Sequence, residues 1–342
     1  MKLKLLIVTQ TVDTEDPVLG FFCRWVEEFA KRVESVEVIC LKEGKHALPV
    51  NVRVHSLGKK ESSRQKAVGS RIRYTFRFLS LAWKLRKEYD AVFVHMNQEY
   101  IVIAGWLWKL LGKRVYMWRN YHGGNFLTDI AMAFCTKVFC TSRYSYTAKN
   151  KKTELMPVGV DTERFFPDAR IPRIPRSILF LSGMWPSKRP EVLVDALAIL
   201  AREGQTFTAD FYGSPLPETR DYYEKLKEKV RALGLASSVT FYPGPPNYQT
   251  PDIFRAHEIF VNCSPSGMFD KTLFEAAACG ALVVASSVDF ALLAGQDTWF
   301  DSAETLAARL ALVLGNPASH QAPFVAEHSL AALAEKLAQA IH

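Results

Sequence analysis

The sequence predicts an α/β protein made of two doubly wound units, and three observations carry that expectation. Apolar runs suited to buried parallel strands alternate with helical stretches through both halves of the chain. A charged, proline-rich stretch, residues 164–175 with Pro167, Pro172 and Pro175, separates the two series and reads as a linker. The 342 residues, 49% apolar and 23% charged, are enough for two cores rather than one.

In the first series, strands are expected at 3–9, 36–41, 91–95, 115–118, 138–141 and 154–157, with helices over 20–33 and 101–111. The second series places strands at 177–182, 208–212, 239–242, 259–261 and 281–285, and helices over 190–202 and 220–233. Residues 329–341 put Leu330, Leu333, Leu337 and Ile341 on one helical stripe, with Ser329 as the N-cap. The expected division is 1–166, 167–325 and a closing helix in 326–342 that packs back on the first domain. Ligands of open α/β sheets bind beyond the C-terminal strand ends, so the site is expected in a cleft between the two units.

Six cysteines lie mostly in apolar runs, with no C-x-x-C pair and no histidine at zinc spacing, which reads as buried, reduced thiols in a reducing compartment. The apolar run at the start is too short for a secretory signal, and residues 100–111, interrupted by Lys109, fall short of the ~20 a membrane span needs. The expected location is cytoplasmic. Net charge is +8, but residues 1–168 hold 28 basic and 17 acidic side chains, so the basic excess belongs to the first half. Within residues 59–87, Arg64, Lys66, Arg71, Arg73, Arg77, Lys84, Arg86 and Lys87 interleave with Tyr74, Phe76, Phe78, Leu79 and Trp83. That pattern suits either peripheral docking on an anionic membrane or a packed helix with a solvated basic face. Nucleic acid is disfavoured as a partner, because no recognised nucleic-acid motif accompanies the charge.

Residues 264–286 read as loop, helix and buried strand, with Asp270 at the helix N-cap and Gly280 as its stop. Amides at that helix start, approached through Ser264, Ser266 and Gly267, suit a diphosphate, and Lys271 adds a cation. Glu275, one turn on, is either a partly buried carboxylate waiting for hydroxyl donors such as a ribose diol, or an ordinary solvent-facing glutamate.

Here Phe274-Glu-Ala-Ala-Ala-Cys-Gly-Ala-Leu-Val-Val-Ala-Ser286 resembles the family 4 retaining glycosyltransferases, glycosyl transferases group 1. The resemblance implies the GT-B fold, with two Rossmann-like domains facing a central cleft. It assigns the nucleotide ribose to Glu275 and the donor phosphates and sugar to backbone from Gly267 through Met268, Phe269, Asp270, Lys271 and Thr272. Gly267 stands where the family has a first glutamate. Leu181-Ser-Gly-Met-Trp-Pro-Ser-Lys-Arg-Pro190 resembles its phosphate loop, in which Gly183 lies, Lys188 fits the lysine, Met184 replaces the arginine and Arg189 compensates. Val239-Thr-Phe-Tyr-Pro-Gly244 resembles a strand ending at a glycine near the donor base, and Pro157-Val-Gly-Val-Asp-Thr-Glu-Arg-Phe165 a structural stretch carrying Gly159, Asp161 and Phe165.

In the first domain, Asp16-Pro-Val-Leu-Gly20 holds the place of the family's loop near the donor phosphates, although a plain tight turn accounts for Gly20 equally well. Trp118-Arg-Asn-Tyr-His-Gly-Gly124 resembles the strand end that carries a histidine close to the transferred sugar, which nominates His122 with Lys188 and Glu275 as catalytic. His95, Asn97 and Arg119 are expected on the acceptor side. The resemblance thus implies retaining transfer from a UDP-, GDP- or ADP-sugar, without cofactor or metal, to a glycan or lipid-linked acceptor of the cell envelope. No D-x-D metal motif occurs in the sequence. A GT-B-fold nucleotide-sugar 2-epimerase and a non-catalytic sugar-nucleotide-binding protein remain alternatives, and a NAD-dependent dehydrogenase is disfavoured because no G-x-G-x-x-G follows the first strand.

Overall fold

The computed structural model describes residues 2–59, 68–267, 269–314 and 324–341. The chain divides into two compact units, one of Met1–Pro157, Pro246–Tyr248 and Leu330–His342, the other of Val158–Pro245 and Gln249–Ser329. In chain order the first unit contains β1 (Lys4–Val12), α1 (Phe22–Arg32), β2 (Ser35–Glu43), β3 (Val52–Ser56), α2 (Val68–Lys84), β4 (Ala91–His95), α3 (Gln98–Leu110), β5 (Arg114–Trp118), α4 (Phe126–Phe134), β6 (Lys137–Cys140) and β7 (Thr153–Leu155). The second contains β8 (Ile174–Leu181), α5 (Pro190–Arg202), β9 (Thr208–Tyr212), α6 (Arg220–Ala232), β10 (Val239–Tyr242), α7 (Thr250–Ala256), β11 (His257–Asn262), α8 (Lys271–Ala278), β12 (Leu282–Ala285), α9 (Val288–Ala294), α10 (Ala303–Val313) and α11 (Phe324–Glu327). Helix α12 (Leu330–Ile341) then joins the first unit.

Both sheets are parallel, in the orders β3-β2-β1-β4-β5-β6-β7 and β10-β9-β8-β11-β12. Each is covered on both faces, which is why central strands such as β1 and β4 read as nearly unbroken apolar runs. In β1, Leu5 and Ile7 enter one core with Phe22 and Phe29, while Leu6 and Val8 enter another with Ile101 and Trp108. In β8, Ile178 and Phe180 face Leu193 and Leu197, while Leu179 faces Phe254 and Phe274. The stripe of α12 fills the α1 side of the first unit with Leu330, Leu333, Leu337 and Ile341, and Tyr116 Oη donates to the Ile341 carbonyl at 3.0 Å.

Several elements differ from expectation. Strand β3 and helices α4, α7, α9 and α10 had no expected counterpart, and α4 begins on a reciprocal Asn125–Thr128 capping box. The boundary between units falls at Pro157/Val158 rather than after Phe166, because Val158, Val160 and Phe165 pack into the second core. On α2, Phe78 is buried but Ile72, Phe76 and Trp83 are exposed beside Arg73, Arg77 and Lys84; Arg64 and Lys66 lie outside the described residues. No helix among the described residues is long and apolar enough to cross a membrane. All six cysteines are buried and unbridged, and burial lifts the Cys23 thiol to about 11 and those of Cys40, Cys135, Cys263 and Cys279 to about 12.

Strand order reverses between β1 and β4 in the first sheet and between β8 and β11 in the second. At such a switch the loops leaving neighbouring strands part to opposite faces and leave a crevice at the carboxyl ends.

Candidate functional site

In the second unit the crevice is framed by the loop after β8, residues 182–189, and the loop after β11, residues 263–270. Asp270 joins them. Its carboxylate accepts from Lys188 Nζ at 2.7 Å on both oxygens, from Ser264 Oγ at 2.5 Å and from Asn262 Nδ2 at 3.1 Å. Burial alone would raise the Asp270 carboxyl, but the Lys188 charge and these three donors hold it below the usual carboxylate range. Further bonds stitch the loop to its surroundings: Val288 N to Ser266 Oγ at 2.9 Å, and Gly267 N to Asp289 Oδ2 at 3.0 Å.

This network bears on two expectations. Asp270 is the N-cap residue of α8, as expected, but its side chain makes no capping bond, since the carboxylate is taken by Lys188. Lys188, expected on donor phosphates, has its charge matched by Asp270. The first turn of α8 therefore carries neither a side-chain cap nor an acidic residue, the arrangement in which a helix start favours an anion. Gly267 has φ +88°, a left-handed conformation that a glutamate there would adopt only under strain. Phe269, at φ +41°, is buried with its ring 4.8 Å from Phe274. Thr272 is half-buried on the first turn of α8, and Met268 lies outside the described residues.

Glu275 is buried, at 3% exposure, so it is not a solvent-facing glutamate. Lys271, one turn earlier, is also turned inward: its Nζ donates to the Gly159 carbonyl at 2.8 Å, which corrects the expectation of a cation presented to phosphate. Burial draws the Lys271 ammonium down to about 8, against the upward pull of Glu275 and Asp161. Gly159 and Phe165 are structural, as expected. Gly159 is held by the His328 carbonyl at 2.9 Å, and Phe165 is buried near Phe254.

Arg189 differs from its neighbours. It occupies the left-handed region at φ 53° directly before α5, and its guanidinium makes no hydrogen bond or ion pair among the described residues. A residue with a Cβ held there costs about 1–2 kcal/mol relative to glycine. Met184, in the place of a family arginine, is fully buried and supplies no charge. Gly183 lies under the Trp185 indole, and Gly244 N donates to Ser214 Oγ at 3.0 Å.

The first unit is placed differently. Gly20 closes a turn in which its amide donates to the Asp16 carbonyl at 2.9 Å, and a Cβ there would lie 2.6 Å from that oxygen. The tight-turn reading of Gly20 is thus sufficient. His95 is corrected: it is buried, stacked on Phe22 at 4.0 Å between centroids, with Nδ1 3.4 Å from Thr9 Oγ1. It is part of the core. Asn97 is half-buried before α3 without capping it. His122 is exposed beyond β5, its ring 4.4 Å from that of Tyr121. Arg119 follows β5 directly and is buried, with its guanidinium 5.6 Å from the Tyr121 ring. Asn262 and Asp289 escaped the sequence reading; a polar residue ending the buried run of β11 was the available signal for Asn262.

Two outcomes follow from this geometry. Arg189→Gly releases about 1 kcal/mol of backbone strain, so Tm should rise while calorimetric affinity for a nucleoside diphosphate falls about tenfold; unchanged affinity removes Arg189 from the site. The depressed Lys271 pKa contributes stability that is complete above the unfolded value of 10.5 and is lost as pH falls through about 8. In urea titrations, wild type should therefore gain on Lys271→Met as pH rises from 8 to 10.5, and a flat difference contradicts the buried ammonium.

Residues 175–316 match the family model described as glycosyl transferases group 1. The chain is 28% identical to a D-inositol 3-phosphate glycosyltransferase of Salinispora arenicola over 44% of its own length and 38% of that protein. It is 31% identical to a mannosylfructose-phosphate synthase of Agrobacterium fabrum over 41% of its own length and 33% of that protein. The matches thus span well under half of these relatives. Among solved structures, Anabaena Alr3699/HepE in complex with UDP and glucose superposes with a TM-score of 0.77 at 17% identity, covering 99% of each chain. WaaG, a glycosyltransferase involved in lipopolysaccharide biosynthesis, gives 0.69 at 16% identity, covering 98% of this chain and 99% of WaaG. Residues 175–316 accordingly form a glycosyl transferases group 1 domain, within a chain whose two parallel-sheet units have the GT-B fold.

Proposed function

We propose that the chain is a retaining glycosyltransferase that moves a sugar from a nucleotide-sugar donor to an acceptor hydroxyl. The observation that carries this reading is the β8/β11 crevice: an uncapped helix start, a buried glutamate one turn along it, and an uncommitted arginine on the facing loop of the same unit. Amides of α8 and the Arg189 guanidinium take the donor diphosphate, and Glu275 accepts from the ribose hydroxyls. Lys188 holds Asp270, and through it the loop, in place. The anomeric C–O bond to phosphate breaks, the acceptor oxygen bonds to the same face, and its proton passes to the departing phosphate oxygen. Helix amides and arginine stabilise the leaving diphosphate without a divalent metal, and His122 supports the positive charge that develops on the sugar. HepE is described with UDP and with UDP-glucose, which supports a nucleotide-sugar donor here.

We further propose that the first unit docks on an anionic membrane surface where a lipid-linked or glycan acceptor is presented. Ile72, Phe76 and Trp83, all exposed, fall on one stripe of α2, flanked by Arg73, Arg77 and Lys84.

UDP, GDP or ADP should raise Tm in a thermal-shift screen, and Glu275→Ala should weaken the effective nucleotide by about 10- to 100-fold. No stabilisation by any of the three overturns the donor site. Acceptor-dependent release of nucleoside diphosphate distinguishes transfer from 2-epimerisation, which converts donor without acceptor, and from binding alone, which releases nothing. The full chain should co-sediment with phosphatidylglycerol vesicles but not with phosphatidylcholine vesicles, and Phe76→Ser with Trp83→Ser should abolish that difference. Equal sedimentation of variant and wild type rejects the membrane surface.

A further inference from the structure

Among the described residues the buried and half-buried arginines Arg255 and Arg173 are satisfied, and Arg119 is not. Arg255, 8% exposed, gives its guanidinium to the Phe166 and Arg164 carbonyls and to Asp252. Arg173, half-buried, donates to the His257 and Cys279 carbonyls. Arg119 is 9% exposed, yet its Nη1 is buried and meets no acceptor. Glu99, on the first turn of α3, is near enough to attract it but is exposed and forms no ion pair with it. Burial pulls the Arg119 pKa down, and an arginine nonetheless keeps its charge. An unpaired buried guanidinium is costly to a fold.

Its surroundings suit a ligand. Arg119 leaves the carboxyl end of β5, where parallel sheets bind substrates. Its backbone is fixed on both sides, the amide to the Phe139 carbonyl at 2.9 Å and the carbonyl from Thr147 Oγ1 at 3.2 Å, so the guanidinium stands on a rigid base. The Tyr121 ring lies between it and His122 in sequence and touches both, with its centroid 5.6 Å from the guanidinium carbon and 4.4 Å from the imidazole centroid. A planar fork of donors in this setting matches a group with two coplanar anionic oxygens.

We propose that Arg119 binds an anionic group of the acceptor, a phosphoryl or a carboxyl, and so selects a charged over a neutral acceptor. This rests on the acceptor belonging to the first unit, as in the transferase reading above. The test uses the full chain with saturating UDP, so that the donor site is filled, and follows Tm in inorganic phosphate, acetate and chloride at constant ionic strength. Wild type should be stabilised by phosphate, acetate or both over chloride, and which anion acts identifies the group. Arg119→Met should lose that response, a weakening of about 10- to 100-fold, while its Tm in chloride equals or exceeds that of wild type, because the variant no longer buries an unpaired charge. Three results overturn the proposal: no anion preferred over chloride by wild type, an anion response that survives Arg119→Met, or a lower Tm of the variant in chloride, which makes Arg119 a structural residue paired in solution. UDP titration of both proteins is read separately. Absence of UDP binding sinks the donor reading, while the phosphate and acetate responses still judge Arg119.

Discussion

The candidate donor site depends on one carboxylate. Asp270 receives Lys188 from the loop after β8, Ser264 from the loop after β11 and Asn262 from the end of β11. Two loops far apart in sequence, one carrying Lys188 and the other Asn262, Ser264 and Asp270 itself, are thereby fixed about a single buried charge. Because the pair is buried and hydrogen-bonded on several sides, removing either partner leaves a stranded charge rather than a lost surface contact. With Asp270 turned toward Lys188, the start of α8 is left without a side-chain cap.

The two units manage charge in the same way. In the second, Lys188, Lys271, Arg173 and Arg255 all have oxygen partners supplied by the protein, while the Arg189 guanidinium has none among the described residues. In the first, Glu37 is fully buried and answered by Arg53 and His55, whereas Arg119 is left without an acceptor at a strand end. Charges that serve the fold are paired internally. Arg189 and Arg119 stand where strands deliver loops to the carboxyl edge of their sheets.

Much of the fold was legible because both sheets are covered on both faces. The boundaries of β4, β9, β10 and α5 coincide with the expected 91–95, 208–212, 239–242 and 190–202, and β4, buried at every residue, shows the reason most plainly, being apolar without interruption up to His95. Strand β3 escaped because it is an edge strand, with Val52 and Val54 alternating with Arg53 and His55 over only five residues. Helices α7 and α9, seven residues each, are too short to show a period. At the site, residue types were readable but partners were not. Lys188 and Asp270 lie 82 positions apart, and only the strand order brings their loops together. His95 and His122 look alike in sequence, each polar after an apolar run. The difference is that every residue of β4 is buried and His95 closes the strand against Phe22, a distinction that alternation cannot reveal in a sheet with no solvent face.

Helix α12 has a consequence for how the molecule is made. Its four stripe residues complete a core whose other walls, α1, β1 and β5, come from the beginning of the chain. During vectorial synthesis the earlier unit emerges first but keeps one apolar face uncovered until the whole of the later unit has been translated. The nascent intermediate therefore presents Phe22, Trp25 and Phe29 without their final cover, and the step that finishes the first-made unit waits for the later one to be made.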